Sequence, residues 1–89
     1  MVYLIVVYDM VADRTGKLRR PLRRYLTHTQ QSVFEGRVTA GQADDVEAIV
    51  TDRIDPGRDE SGIVYRLSSD AVIDRTSAGD DPTDGEQFF

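Results

Sequence analysis

The sequence predicts an α+β domain in which an antiparallel sheet carries two helices on one face. Three observations lead there. Residues 2–8 (VYLIVVY) form a run with no polar interruption, bounded by Asp9. Two stretches with a helical period follow, at 13–28 and 43–54. Short apolar segments bounded by turn residues lie between and after them, the pattern of strands that alternate with helices. At 89 residues the chain can bury only a modest core. Its lack of cysteine excludes disulfides and thiolate zinc sites.

Each element has its own signal. The first strand is apolar on both pleat faces, with Tyr3, Ile5 and Val7 on one and Val2, Leu4, Val6 and Tyr8 on the other. A sheet with one face in water would alternate with polar residues, so something must cover both faces, and a homodimer formed through the sheet face does so most economically. In 13–28, steps of ~100° per residue put Leu18, Leu22, Tyr25 and Leu26 on one stripe, with Lys17, Arg19, Arg20, Arg23 and Arg24 on the opposite arc. Pro21 interrupts this helix, because proline lacks the N–H that an interior position donates; the expectation is a start before Pro21 with a local distortion there.

Residues 30–35 (QQSVFE) read as a second strand, Gly36 as a turn, and 37–39 as the start of a third. The helix at 43–54 has Val46, Ile49, Val50 and Ile54 at core spacing, and Asp55-Pro56-Gly57 is a turn. Residues 62–67 (GIVYRL) form a fourth strand and 71–75 a short fifth. The order βαββαβ, with a short extra C-terminal strand, is the split βαβ, ferredoxin-like arrangement. The folded domain is expected over 1–76. Residues 77–89 are acidic, contain Gly and Pro, and have no periodicity, the composition of a flexible tail. That tail ends in Phe88-Phe89, either a solvating end or an anchor for a partner's pocket.

The net charge of −5 hides an asymmetry. Residues 1–43 hold seven basic and three acidic side chains, a net of +4, whereas 44–89 hold four and thirteen, a net of −9. Such a split points to a polyanion-binding face. Six of the basic residues, Arg14, Lys17, Arg19, Arg20, Arg23 and Arg24, fall within eleven positions free of acids, an electrostatic footprint for phosphates. Contacts of this kind position a backbone without reading bases. Tyr8, Tyr25 and Phe34 offer rings for base stacking or for the core. One lysine beside ten arginines and twelve aspartates suggests a salt-adapted surface. No apolar run is long enough to cross a bilayer and no leader pattern precedes the first strand, so a soluble, cytoplasmic protein without a membrane partner is expected.

Asp9 has two readings. It caps the following segment, or it holds a hard cation such as Mg²⁺, with Mn²⁺ as an alternative, next to a phosphate. One carboxylate is a poor metal site, but a two-fold axis would bring two copies together. His28, the sole histidine, is expected at a helix end as a cap or general base. Asp13 reads as a helix cap. Ser32 has no activating base in its neighbourhood, and no Gly-rich phosphate loop is present.

A first strand ending Tyr8-Asp9, an Arg-rich helix, the segment Gln30-Gln31-Ser32-Val33-Phe34-Glu35-Gly36 and the late strand Ile63-Val64-Tyr65-Arg66-Leu67 resemble, in this order and spacing, the CRISPR-associated protein 2 family. The likeness covers roughly residues 1–75. It implies a ferredoxin-like homodimer with two activities. One is metal-dependent endonuclease cleavage of single-stranded RNA or of double-stranded DNA, with Asp9 of both subunits holding Mg²⁺ and with Tyr8, Arg19 and Phe34 matching residues associated with that activity. The other is a structural role in spacer acquisition, in which the dimer bridges the CRISPR-associated integrase and lies along incoming DNA; Phe88 and Phe89 are then candidate anchors on the integrase. Pro21 and Thr29 stand where relatives often carry basic residues, a departure that bears on cleavage more than on binding. A purely structural scaffold and a stand-alone, toxin-like ribonuclease are the alternatives.

Overall fold

A computed structural model describes residues 1–68 and 73–79 of the chain. Five strands, β1 (Val2–Asp9), β2 (Thr27–Gln30), β3 (Val33–Val38), β4 (Ser61–Leu67) and β5 (Ile73–Gly79), and two helices, α1 (Gly16–Leu22) and α2 (Ala40–Arg53), follow in the order β1-α1-β2-β3-α2-β4-β5. The sheet runs β2-β3-β1-β4-β5 with every pair antiparallel. This is the expected ferredoxin-like arrangement, with β5 added outside β4. The apolar run of the sequence is its middle strand, paired on both edges.

Alternation along the strands separates two faces. Leu4, Val6 and Tyr8 of β1, Phe34 and Val38 of β3, and Val64 of β4 point to the helices and are buried. From the helices, Leu18, Leu22, Ala43, Val46 and Val50 meet them, each larger aliphatic side chain contributing roughly 1.5–3 kcal/mol. The other face carries Tyr3, Ile5, Val7 and Val33, all half-buried, beside Ile63 and Tyr65, which are buried.

The region expected as one helix over 13–28 is broken into a single 3-10 turn (Ala12–Arg14), the seven residues of α1 and a run of turns. The helix does begin before Pro21, and the predicted stripe of Leu18, Leu22 and Leu26 is buried. Pro21 cannot donate to the carbonyl four residues back, on Lys17. That carbonyl instead accepts a hydrogen bond from Arg53 Nη1 at 3.2 Å, across from the end of α2.

The hairpin is shifted from its expected place. Gln31 and Ser32 make the turn, and Gly36 lies inside β3. His28 therefore sits in β2, paired with Phe34, and caps no helix. The period-2 alternation of Val33, Glu35 and Arg37 against Phe34, Gly36 and Val38 overrides the turn tendency of Gly36. Helix α2 starts three residues earlier than its apolar spacing suggests, because Thr39 and Gln42 form a capping box: Gln42 N donates to Thr39 Oγ1 at 3.1 Å and Thr39 N donates to Gln42 Oε1 at 2.9 Å.

Strand β5 is described from Ile73 and continues to Gly79. Gly79 pairs with Ser61 at a φ of 77°, and a Cβ there would collide with the Glu60 carbonyl; only glycine fits. Residues 71–72 of the expected fifth strand, the acidic segment from residue 80, and Phe88 and Phe89 lie outside the described residues. No described helix is long and apolar enough to cross a membrane.

One polar group is buried among the loops at this end of the sheet. Glu60, 1 % exposed, accepts from Arg14 Nε at 2.8 Å and from Val11 N at 3.2 Å through Oε2, and from Arg14 Nη2 at 3.2 Å and Asp55 N at 3.0 Å through Oε1. The Arg14 guanidinium in particular holds this carboxyl below the usual glutamate range, against the opposing effect of burial.

The packing and this buried acid can both be tested by stability. A Cβ on Gly62 would stand 2.9 Å from Val50 Cγ1 and 3.2 Å from Ile54 Cγ1, so Gly62→Ala is expected to cost about 1–3 kcal/mol, read as a lowered Tm. Gly41→Ala in α2, where nothing lies within 4 Å, is expected to leave Tm unchanged or raise it. For acid, folding favours the ionised form of Glu60. Its contribution is complete above the unfolded value near about 4.3 and is lost as pH falls through the lower native value. Denaturation midpoints measured across the acid range are expected to fall more steeply for wild type than for Glu60→Gln.

Candidate functional site

The C-terminal end of β1 opens onto a cleft of about 330 Å³ between the α1 side and the β2–β3 turn. Its geometry starts from the strand. Tyr8 is the last inward residue of β1 and its ring is buried at 5 % exposure. Asp9, next along the chain, is forced by the pleat to the other side and is exposed. The two predicted residues are thus both in the cleft lining but differ in kind: one is fixed and one faces water.

Tyr8 is locked by its neighbours. Its backbone N–H donates to Ser32 O at 3.1 Å and its hydroxyl donates to Gln31 O at 3.1 Å. Arg19 Nε donates to the same hydroxyl at 2.8 Å, and Arg19 Nη2 reaches Gln31 O at 2.9 Å, with the guanidinium carbon 6.0 Å from the Tyr8 ring centroid. His28 Nε2 stands 3.2 Å from the same carbonyl. A carbonyl can only accept, so this nitrogen carries the ring proton. Three side chains therefore converge on the Gln31 carbonyl. Arg19 Nη1 has no hydrogen-bond partner among the described residues and is left for an anion.

Phe34 is fully buried and lies behind the cleft rather than on its lining. It lies 6.2 Å from the Tyr8 ring and stacks on His28 at 4.5 Å with an interplanar angle of 7°. Its inward position on β3, under the helices, makes it a support for both rings.

Among the described residues the Asp9 side chain makes no hydrogen bond or ion pair, and no three His, Asp or Glu side chains gather as a metal site. A single chain thus offers one hard ligand at this cleft. A divalent cation that keeps its waters and takes phosphate oxygens accepts one or two carboxylates, so the donor set fits Mg²⁺ once a second Asp9 or a phosphate completes it.

The six basic residues do not form one face. Arg14 turns inward to Glu60 and also donates to Arg53 O at 3.2 Å, because a buried carboxylate requires a cation. Arg19 turns to Tyr8. Lys17, Arg20, Arg23 and Arg24 are exposed and make no ion pair with any described residue. Arg53 joins them through its bond to Lys17 O, lining with Lys17 and Arg20 a second open cleft of about 300 Å³ that also has Asp13 on its wall. Sequence reasoning missed Arg53, Glu60 and the Gln31 carbonyl. The first needed the Pro21 argument carried one step further, the second stood as a lone acid before an apolar strand, and a backbone carbonyl leaves no mark in a sequence.

Comparison with known proteins agrees with this architecture. The family described as "CRISPR associated protein Cas2" matches residues 1–73. A protein of Haloferax volcanii named "CRISPR-associated endoribonuclease Cas2" is 38 % identical over 85 residues, covering 96 % of each chain. A protein of the same name from Thermococcus kodakarensis is 39 % identical over 67 residues, 75 % of this chain and 78 % of its own. A solved structure titled "Crystal structure of cas2" superposes with a TM-score of 0.68 at 28 % identity, covering 99 % of this chain and 98 % of that one. With the family match, the near full-length relative and the shared fold in agreement, the chain belongs to the CRISPR-associated protein Cas2 family.

Proposed function

We propose that this chain acts in CRISPR adaptation as a nucleic-acid-binding homodimer with metal-dependent endonuclease activity. The observation that carries the reading is the exposed Asp9 carboxylate in a cleft with a guanidinium, that of Arg19, held in place by Tyr8 and the Gln31 carbonyl. The names of the relatives speak of RNA, so single-stranded RNA is the first substrate to try and double-stranded DNA the second.

The residues divide the work. Lys17, Arg20, Arg23 and Arg24 draw the phosphate backbone to the α1 side without reading sequence. Arg19, its Nε and Nη2 already committed, offers Nη1 to a phosphate oxygen in a fixed direction, which stabilises the charge that grows during hydrolysis. Asp9 of two chains would hold Mg²⁺ or Mn²⁺, which when bound lowers the pKa of its water and clamps the phosphate. The apolar outer face built on Tyr3, Ile5, Val7 and Ile63 supports a homodimer through the sheet face. Bridging of the CRISPR integrase, with Phe88 and Phe89 as anchors, and a salt-adapted setting belong to the same proposal and rest on composition and family.

A scaffold without catalysis is the second reading, favoured by one observation: a single chain gathers no cluster of metal ligands among its described residues. Labelled single-stranded RNA and duplex DNA, incubated in high salt with Mg²⁺, Mn²⁺ or EDTA, separate the two. Cleavage is expected with metal and reduced at least about 100-fold in Asp9→Ala, since even a supporting residue around a metal is worth 10–100-fold. Equal cleavage in Asp9→Ala, or none in wild type, leaves the scaffold. For binding, Arg20→Glu with Arg23→Glu is expected to weaken retention of duplex DNA while the dimer survives. The salt dependence should also flatten, by about 0.9 in log–log slope for each phosphate that is no longer neutralised. Retention equal to wild type across a salt titration would remove the α1 side from the interface.

A further inference from the structure

Beyond Met10, which is half-buried and packs against the core, the segment that follows Asp9 has no hydrophobic anchor. Val11 is 43 % exposed, Ala12 and Asp13 are exposed, and no residue of the 3-10 turn is buried. Loops of this kind normally sample several conformations. Yet Met10, Ala12 and Thr15 form one wall of the Asp9 cleft. Past Met10, that wall is tied down by the Glu60 carboxylate, which takes the Val11 N–H and the Arg14 Nε on one oxygen and the Arg14 Nη2 and Asp55 N–H on the other. Arg14 adds a bond from Nη2 to the Arg53 carbonyl at the end of α2. One buried acid therefore joins the exit of β1 to the loop that enters β4.

The surroundings aim Glu60 at this task. Asp59, just before it, adopts a left-handed backbone with φ of 60°, a conformation that costs a non-glycine residue energy and persists only where its surroundings demand it. On the far side, Gly79 lies against the Glu60 carbonyl in a space no Cβ can occupy. A buried ion pair is seldom the best stabiliser, since an apolar pair of similar volume often does as well or better. An apolar pair cannot, however, hold a backbone N–H in a chosen direction.

We infer that Glu60 and Arg14 form a positioning pair that sets the exit of β1, and with it the Asp9 carboxylate, against the Arg19 side of the cleft. This rests on the reading of Asp9 as the metal-holding carboxylate. Neither member touches substrate. Arg14, grouped by sequence with the phosphate-binding cations, belongs to this pair instead.

Glu60→Gln keeps the shape and removes the charge together with two acceptor positions; Arg14→Lys keeps the charge and removes the two-pronged contact. Amide exchange by NMR, Mn²⁺-induced broadening at Asp9 and steady-state cleavage of single-stranded RNA would be measured for wild type and both variants. In Glu60→Gln the Val11 amide is expected to lose at least about tenfold in protection while the Leu4 and Val6 amides keep theirs. The Mn²⁺ concentration for half-maximal broadening should rise, and kcat should fall by about 10- to 100-fold, as for other groups that support a metal site, with KM for RNA changed less than about twofold. Arg14→Lys should shift each quantity the same way by less, with duplex DNA retention unchanged. Unchanged Val11 protection in both variants, a loss spread evenly over the β1 amides, or a freed Val11 with unaltered Mn²⁺ response would each overturn the inference. Wild-type protein with neither cleavage nor broadening at Asp9 overturns the metal reading itself, so the two failures are told apart by the wild type.

Discussion

The middle position of β1 constrains everything else. A strand paired on both edges and apolar on both pleats can be displaced in no direction without breaking a ladder or exposing a core face. That fixes the strand through Tyr8, beyond which Asp9 pairs on one edge alone, with Ser61, and the pleat dictates that consecutive residues there face opposite ways. Tyr8 inward and Asp9 outward is the result: a buried hydroxyl that orients a guanidinium, next to a carboxylate that meets water. The hairpin turn at Gln31–Ser32 is brought to the same point by the Tyr8 N–H, so a backbone carbonyl becomes the junction for three side chains. The cleft owes its order to the sheet rather than to the helix beside it.

Much of this was legible in the sequence. The unbroken apolar run read as a strand covered on both faces, and the order of periodicities pointed to the ferredoxin-like topology. The stripe of Leu18, Leu22 and Leu26 emerged despite Pro21, because side-chain spacing survives a break in backbone hydrogen bonding. The errors share one cause, which is that local signals were read without their cross-strand partners. Gly36 looks like a turn until Phe34 and Val38 are seen to require a continuous strand, and His28 looks like a helix cap until Phe34 pairs with it. The start of α2 was readable from Thr39 and Gln42, but the apolar spacing that marks a helix begins only at Ala43. Most hidden was the fate of Arg14. Within the sequence its charge is indistinguishable from that of Arg20 or Arg23, and only a buried glutamate from a distant loop sets it apart.

That distinction changes how the charge asymmetry works. The basic half of the chain is not a uniform coat. Five side chains, Arg37 among them, face solution, one is held inside by Glu60 and one is aimed across the cleft. A cation held by two hydrogen bonds directs charge at one spot, whereas a free one answers to the whole field of a polyanion. Attraction and aim are thus assigned to different residues of the same short segment, which separates how strongly a strand is held from where a bond is presented.

The missing donor of Pro21 carries a consequence of its own. With no N–H to offer, the helix leaves the Lys17 carbonyl to Arg53, and the ends of α1 and α2 become linked through a side chain. A residue with an N–H at position 21 would bring a second donor to that carbonyl; the proline leaves it to the guanidinium of Arg53 alone. Positions 21 and 53, 32 residues apart along the chain, thereby bear on one acceptor.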